Sequence, residues 1–376
     1  MSELKVDKVS PRTGTYVSLN TVGSKNILIN GDMSIAQRGT SASGLTSGGY
    51  LTVDRFNFGI ASAGTWTITQ DTDVPSGQGF AKSTKLDCTT ANASLGASAE
   101  LTFYQKIEGQ NLQYLKKGTA NAESVTFSFW VKSSKTGTYT AEIYDADNDR
   151  QISKTYTIDS ASTWEKKTIT FAGDTTGTLD NDNAVSFWIF FWLGAGSNYT
   201  SGTLNTSWNS ATTANRVSSS QVNLADSTSN DWFVTGVQLE AGTTSSDFEF
   251  LPYDMNLLRC QRYYQYVAAG SSYPRGSLDA LITNAVSYTT TLAYGVFNFP
   301  TTMRSGPSVE HTTGSNYYRY YNAAISNDYF DGFVSYENTN ENILIGNSDT
   351  MGLTAGQAGW MTCVNANAYV AFDAEL

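Results

Sequence analysis

The sequence predicts an all-β chain: a jelly-roll β-sandwich, then a short joint helix, then a smaller C-terminal β domain. Three observations carry this. Charged residues make up only 15% of the 376, while aromatics reach 13% with 22 Tyr, and Gly numbers 32. Aromatics and hydroxyl-bearing residues suit pleated sheets joined by turns, whereas long amphipathic helices need blocks of Glu, Lys, Leu and Ala. Short runs of alternating apolar residues recur between turn signals. One segment alone, Asp254 to about Tyr266, sets helix-forming residues behind an N-cap. The length suffices for two or three domains with cores of their own.

Residues 1–25 form the first unit. Leu4, Val6 and Val9, then Tyr16, Val17 and Leu19, suggest two short strands around the turn Ser10–Gly14. A lone hairpin is marginal in water, so this arm needs partners. Residues 26–252 read as one sandwich. Thr65–Ile68, Val125–Val131, Tyr139–Tyr144 and Thr168–Phe171 have strand character, and Ser134–Gly137 and Asp174–Gly177 are turns. Phe233, Thr235, Val237 and Leu239 alternate along a further strand that Glu240–Gly242 ends. Pro252 and Asp254 open the joint helix, 253–266, in which Leu257, Cys260 and Tyr264 share one face. That face either packs on its own sheet or forms an oligomer interface. Residues 267–376 form the second β domain. In it Tyr288–Phe297 reads as one strand, Pro300 stops it, Arg304–Pro307 turns the chain, and Ala368–Leu376 is a terminal strand.

Charge and chemistry narrow the function. A formal charge of -11 and a pI of about 4.6 repel a phosphate backbone, which excludes nucleic-acid binding. The opening MSELKVDKVSPRTG has charges where a signal peptide needs an apolar run, so folding in a cytoplasm is expected. The longest apolar run, Val185–Gly196, is too short to span a bilayer, so no membrane insertion is expected. Cys88, Cys260 and Cys363 have neither disulfide nor zinc spacing and read as buried thiols. His311 is the one histidine; with no G-x-S-x-G elbow or P-loop beside it, it reads as a surface or loop residue rather than a base. No cofactor is called for. Asp145, Asp147 and Asp149 place carboxylates at alternate positions, as a calcium loop does, but no bidentate Glu follows. An acidic hairpin turn accounts for them as well.

Two stretches suit recognition. Phe187, Ile189, Phe191 and Leu193 alternate with Trp188, Phe190 and Trp192, so both faces of this strand are apolar. One is core. The other is either a glycan platform, with sugar C–H faces on Trp188 and Trp192, or a second buried layer. In Ser315–Asn322 and Asn327–Gly332, the residues Tyr317, Tyr318, Arg319, Tyr320, Tyr321 and Tyr329 stand among Ser, Asn and Gly. This is the composition of binding loops and suits a receptor-binding tip. Alternate tyrosines filling a sheet core is the competing reading.

Three motifs in order resemble bacteriophage tail-fibre and host-attachment proteins. Near the start are NILINGDMSIAQRGTS (Asn26–Ser41) and VDRF (Val53–Phe56). In the middle, GVQLEAG (Gly236–Gly242) precedes LLRCQRYYQ (Leu257–Gln265). Towards the end are FNFPTTMRSGPSV (Phe297–Val309) and VAFDAEL (Val370–Leu376). The block Phe127–Phe171 resembles carbohydrate-binding jelly rolls, in which the Trp164 position opens a core strand. The resemblance implies a homotrimeric virion fibre. Its N-terminal arm grips other phage tail proteins, and its tip binds a host-surface glycan or outer-membrane receptor. A fibre or decoration on the capsid differs only in what residues 1–25 grip. A polysaccharide-cleaving depolymerase stays open too, though such enzymes usually use a long parallel β-helix, and no repeat of that kind is present. A free bacterial carbohydrate-binding module fits less well, because an export signal is missing.

Overall fold

Strand Asp231–Ala241 (β12) is buried on both faces over all but its two end residues, which makes it a central strand. The computed structural model describes residues 25–270, 280–322 and 327–376, so the expected N-terminal hairpin lies outside the described residues. The first sheet runs in the order β1 (Ser41–Leu45), β3 (Thr65–Asp71), β4 (Ser83–Thr90), β12, β6 (Val125–Ser133), β9 (Glu165–Phe171). Between Thr235 and Gln238 the pairing of β12 with β6 slips. Gly236 turns there to φ +62°, where a Cβ would stand 2.6 Å from the Phe80 ring, so glycine is required.

The second sheet runs β11 (Asn209–Ser210), β8 (Arg150–Ile158), β7 (Gly137–Asp145), β10 (Val185–Ala195), β5 (Glu100–Glu108), β2 (Asn57–Ala61). The two sheets close a jelly-roll sandwich over Phe127, Phe129, Phe191 and Trp232. Phe191 meets Phe129 edge-on at 4.8 Å and Trp232 at 5.3 Å, the geometry ring quadrupoles favour. Trp164 does precede β9, but it lies half-buried on the outer surface. Its indole donates to Asp73 (2.9 Å), and the core excludes it.

The joint helix spans Tyr253–Gln261, shorter than 253–266, because Tyr264 already opens strand β13 (Tyr264–Ala269). Cys260 is fully buried among Ile29, Ile35 and Tyr263, with Leu257 against the same cluster. Tyr264 lies beneath the Arg38 guanidinium, 3.5 Å from its ring. The oligomer-interface role expected for Leu257, Cys260 and Tyr264 is therefore corrected: this face packs inside its own chain. All three cysteines are buried free thiols, and burial pushes that of Cys363 up to about 12.

The C-terminal sandwich pairs a three-stranded sheet, β13–β22 (Tyr369–Asp373)–β16 (Ser308–His311), with a seven-stranded one. The latter runs β18 (Asn327–Phe330), β17 (Tyr318–Asn322), β21 (Ala358–Cys363), β14 (Ala280–Ser287), β15 (Ala293–Asn298), β20 (Asn342–Asn347), β19 (Phe333–Asn338). Tyr288–Phe297 is thus not one strand: β14 ends at Ser287, residues 288–292 turn, and β15 takes up the rest. The Thr289 hydroxyl accepts from the amides of Thr291 (3.2 Å) and Leu292 (3.0 Å), closing a hydroxyl-capped turn.

The family-like motifs converge at the joint. Asn26–Gly31 runs along β12, with the Ile27 amide on the Leu239 carbonyl (2.9 Å) and the Val237 amide on that of Gly31 (2.8 Å). Arg38 reaches Asp373 (2.9 Å) and Glu375 (3.4 Å), and Arg55 also pairs with Glu375. Arg262 grips Glu108 with two bonds (2.8 and 2.7 Å), and Arg304 donates to the carbonyls of Ala374 (2.6 Å) and Glu375 (3.0 Å). Buried bidentate pairs of this kind fix geometry more than they add stability. Among the described residues no helix is long and apolar enough to cross a membrane.

Candidate functional site

Strand β10 splits its side chains as its alternation requires. Phe187, Ile189, Phe191 and Leu193 enter the core, and Trp188, Phe190 and Trp192 face outward. Antiparallel pairing sets Tyr144 of β7 beside Trp188, and Tyr104 of β5 beside Phe190. The rings form one platform: Tyr104 stacks on Trp188 at 5.3 Å and tilts on Phe190 at 4.8 Å, while Tyr144 meets Trp188 edge-on at 6.4 Å.

The chain then covers half of this platform. Residues 197–217 return over Trp192, whose ring lies 5.1 Å from Tyr199 and 5.1 Å from the Arg216 guanidinium. Glu142, fully buried, accepts from Trp192 Nε1 (2.7 Å), Arg216 Nε (2.8 Å) and Arg216 Nη2 (3.0 Å). Burial lowers the Arg216 pKa, but the Glu142 charge and hydrogen bonds outweigh this and raise it. Trp192 accordingly has no exposed surface, and its assignment to a glycan platform is corrected. Trp188 remains half-buried at the rim.

A cavity of about 510 Å³ is left beside the cover, lined by Trp188, Tyr104, Tyr144, Glu100, Asp149 and Arg216 among others. Its polar groups are mostly held in place. Tyr144 donates to Asp149 (2.8 Å), Tyr199 to Glu100 (3.3 Å), and Gln151 exchanges bonds with the Thr212 backbone (3.3 and 3.4 Å). Burial, reinforced by Glu100, pushes Tyr104 up to about 12; burial and the Asp149 contact do the same for Tyr144. Both hydroxyls stay neutral donors. The indole N–H of Trp188 is buried without a hydrogen-bond partner. Aromatic faces with placed acceptors bind a sugar ring, with C–H groups on the rings and hydroxyls to the carboxylates.

The other sequence-predicted residues lie elsewhere. Tyr318 and Tyr320 are fully buried in the C-terminal core; their hydroxyls donate to the carbonyls of Thr312 and Tyr369 (each 2.8 Å) and of Gln357 (2.7 Å). For those two, receptor contact is corrected to core filling. Tyr317 is half-buried, while Arg319, Tyr321 and Tyr329 lie on the outer face of the seven-stranded sheet. His311 is half-buried, not at the surface: its Nε2 accepts from the Phe333 amide (3.1 Å), and burial lowers its pKa. Asp145 pairs with the buried Lys117 (2.5 Å), Asp147 accepts from the Asp180 amide (2.9 Å), and Asp149 lines the cavity. Among the described residues no group of three or more His, Cys, Asp or Glu side chains is placed to hold a metal.

The alternation of β10 already places Trp188 on this outer face. Tyr104, Tyr144, Glu142 and Arg216 join it through strand register across the sheet, which nothing local in the sequence marks.

No family model matches the chain, and no curated protein matches its sequence. Some solved structures are similar in part. The enzymatically active domain of tailspike protein 4 from bacteriophage CBA120 is 16% identical over 58% of this chain and 21% of its own, at a TM-score of 0.31. TmCBM61, solved with β-1,4-galactotriose, is 11% identical over 58% of this chain and 99% of its own, at 0.28. The family 11 carbohydrate-binding module of Clostridium thermocellum Lic26A-Cel5E is 11% identical over 59% and 99%, at 0.26. This chain thus spans about a fifth of the tailspike chain's length. At these identities and scores the likenesses carry no function across.

Proposed function

We propose that this chain is a virion fibre subunit that attaches a bacteriophage to a glycan on its host, binding the sugar in the cavity beside Trp188 without cleaving it. The observation that carries this reading is the open aromatic wall of Trp188, Tyr104 and Tyr144, with an unpartnered indole N–H buried in it. The charge balance names a ligand class. Arg216 is already neutralised by Glu142, while Glu100 and Asp149 face the cavity, so the wall is acidic and suits neutral glycans over acidic ones. Residues 1–25 hold the particle in this reading, and several copies per particle turn weak single sites into firm adhesion.

Glycan-array screening followed by calorimetry tests this. Neutral oligosaccharides should bind, and Trp188→Ala should weaken them at least about tenfold, or ~1.4 kcal/mol. Unchanged affinity in that variant, or a preference for sialylated or uronic sugars, sinks the assignment. The chain length of a bound polysaccharide should not fall on incubation; shortening would move the reading to a depolymerase.

A further inference from the structure

The outer face of the three-stranded sheet turns towards the first sandwich without closing on it, and a cavity of about 540 Å³ stays open there. That volume is within the ~300–1,000 Å³ of small-molecule sites. Strand register builds its floor. Val370 and Phe372 of β22 enter the C-terminal core, so Tyr369, Ala371 and Asp373 point the other way. Tyr264 stands opposite Asp373, and Tyr266 and Glu310 both stand opposite Ala371, which puts their side chains on that same face. The first sandwich contributes Arg38 and Tyr50. The cavity thus has four tyrosine rings in its lining and two carboxyl groups on its floor. Glu310 sits diagonally from Asp373 across the β16–β22 pair, close enough to interact with it. Arg38 is bonded to Asp373 (2.9 Å) and Glu375 (3.4 Å), so its charge is already matched. Burial and Asp373 together raise the Glu310 pKa, as for a carboxylate short of a counter-charge.

We propose that this cavity is a second binding site, for a saccharide that carries a primary ammonium group, with the ammonium at Glu310 and the ring faces on the tyrosines. An ammonium brings three donors and the positive charge that the Glu310–Asp373 pair lacks. Tyrosine faces attract a cation and pack against sugar C–H groups, so the same rings serve both parts of such a ligand. A simple amine would leave most of the volume empty, and an N-acetylated sugar would fill it without supplying the charge. A uronic or sialylated sugar would add a third carboxylate beside two. The cavity beside Trp188 lies in the other sandwich and takes no part in this site. The inference does not rest on the Trp188 assignment, and the two fail separately.

Calorimetry on the full chain tests it, with the β-1,4-linked trimer of glucosamine and its N-acetylated counterpart as probes. About pH 6 keeps the sugar amine charged, and about 150 mM salt screens long-range attraction to the acidic chain. The glucosamine trimer should bind at least about tenfold more tightly than the N-acetylated one. Glu310→Gln should abolish that preference, and Trp188→Ala should leave it in place. Equal affinity for the two trimers overturns the proposal. A preference that survives in Glu310→Gln also overturns it, because it would reflect only general attraction to an acidic protein. A preference lost in Trp188→Ala and kept in Glu310→Gln overturns it too, and would put the amino sugar in the other cavity. Gln is nearly isosteric with Glu and relieves the contact with Asp373, so this variant should fold. Tyr369→Leu, which keeps both carboxyl groups, guards the result independently. It should weaken the glucosamine trimer about threefold, and an unchanged affinity overturns the seating of the sugar on the tyrosines.

Discussion

The two sandwiches treat a surplus of aromatic side chains in opposite ways. In the first, the outer face of β10 carries Trp188, Phe190 and Trp192, and residues 197–217 fold back over most of it. What stays open is concave and small. In the second, the outer face of the seven-stranded sheet has no such return among the described residues, and Trp360, Val296 and Tyr336 stand on a broad surface. A concave remnant has the shape that suits a small ligand; a broad one has the shape that suits another protein surface. One alternating pattern gives two kinds of site, and the difference lies in whether the chain spends a connection to cover it.

The largest expected effect breaks the first half of this comparison. Lys117 is buried with its ammonium between Asp145 (2.5 Å) and Asp174 (3.1 Å) and against the carbonyls of Thr176 (2.9 Å) and Gly177 (2.8 Å). Lys117→Met leaves a buried carboxylate without its counter-charge, which should cost about 3–5 kcal/mol in urea unfolding. Asp145 begins the hairpin that ends at Arg150 and carries Asp149, so glycan binding should fall as well. The outer face of the C-terminal sheet should be untouched.

Next comes the joint that holds the two sandwiches together. Burial raises the Glu108 pKa, but hydrogen bonds from Arg262 and Tyr263, with the Arg262 charge, outweigh burial and hold it low. Asp174 is lowered in the same way against burial, by Arg150 and Lys117. A lowered folded-state pKa gives stability that is present above the unfolded-state value of about 4 and lost as pH falls through the folded-state one. At the same joint Glu310 works in reverse: burial and Asp373 raise its pKa, so its contribution is lost as pH rises above about 4. Acid unfolding should begin below about pH 4. Glu108→Gln should lower stability at pH 7 and converge on the natural chain near pH 2. A gap that persists at pH 2 would show that Glu108 acts through packing and not through its charge.

How much of this was legible follows from where each signal lives. The strands of both sandwiches and the existence of the joint helix come from local periodicity, which needs no partner. The outward position of Trp188 follows from the same periodicity. The alternation cannot place Trp192, because it serves a platform and a buried layer alike, and only the return of residues 197–217 decides for the buried layer. Tyr318 and Tyr320 were misread for the mirror reason. Tyr, Asn and Ser compose binding loops, but at alternate positions of β17 they enter the core, where their hydroxyls find carbonyls. The motifs that resemble fibre proteins turn out to build the joint, with Arg38, Arg55, Arg262 and Arg304 all engaged there. A resemblance resting on a joint carries architecture and says nothing of the ligand.

A pair of smaller substitutions sharpens the contrast between a tyrosine that faces a ligand and one that faces a core. Tyr144→Phe removes the bond to Asp149 and should weaken glycan binding about fivefold, or ~1 kcal/mol, while changing stability little. Tyr318→Phe removes a core hydroxyl shared between two carbonyls and should cost about 1 kcal/mol of stability without moving affinity. Equal effects of both on binding would mean that the first sandwich has no privileged site.

The smallest effect is expected on the joint helix, on the side that faces away from Cys260. The exposed side of the helix presents Tyr253, Met255 and Leu258. These are scattered single apolar groups on a nine-residue helix whose other side is anchored by Asn256 on Ser34 (3.0 Å) and Asp32 (3.1 Å). Such residues need no partner. Met255→Ser with Leu258→Ser should therefore shift stability by no more than about 0.5 kcal/mol and leave the native mass unchanged. A lower native mass in this variant would return an oligomer interface to the helix.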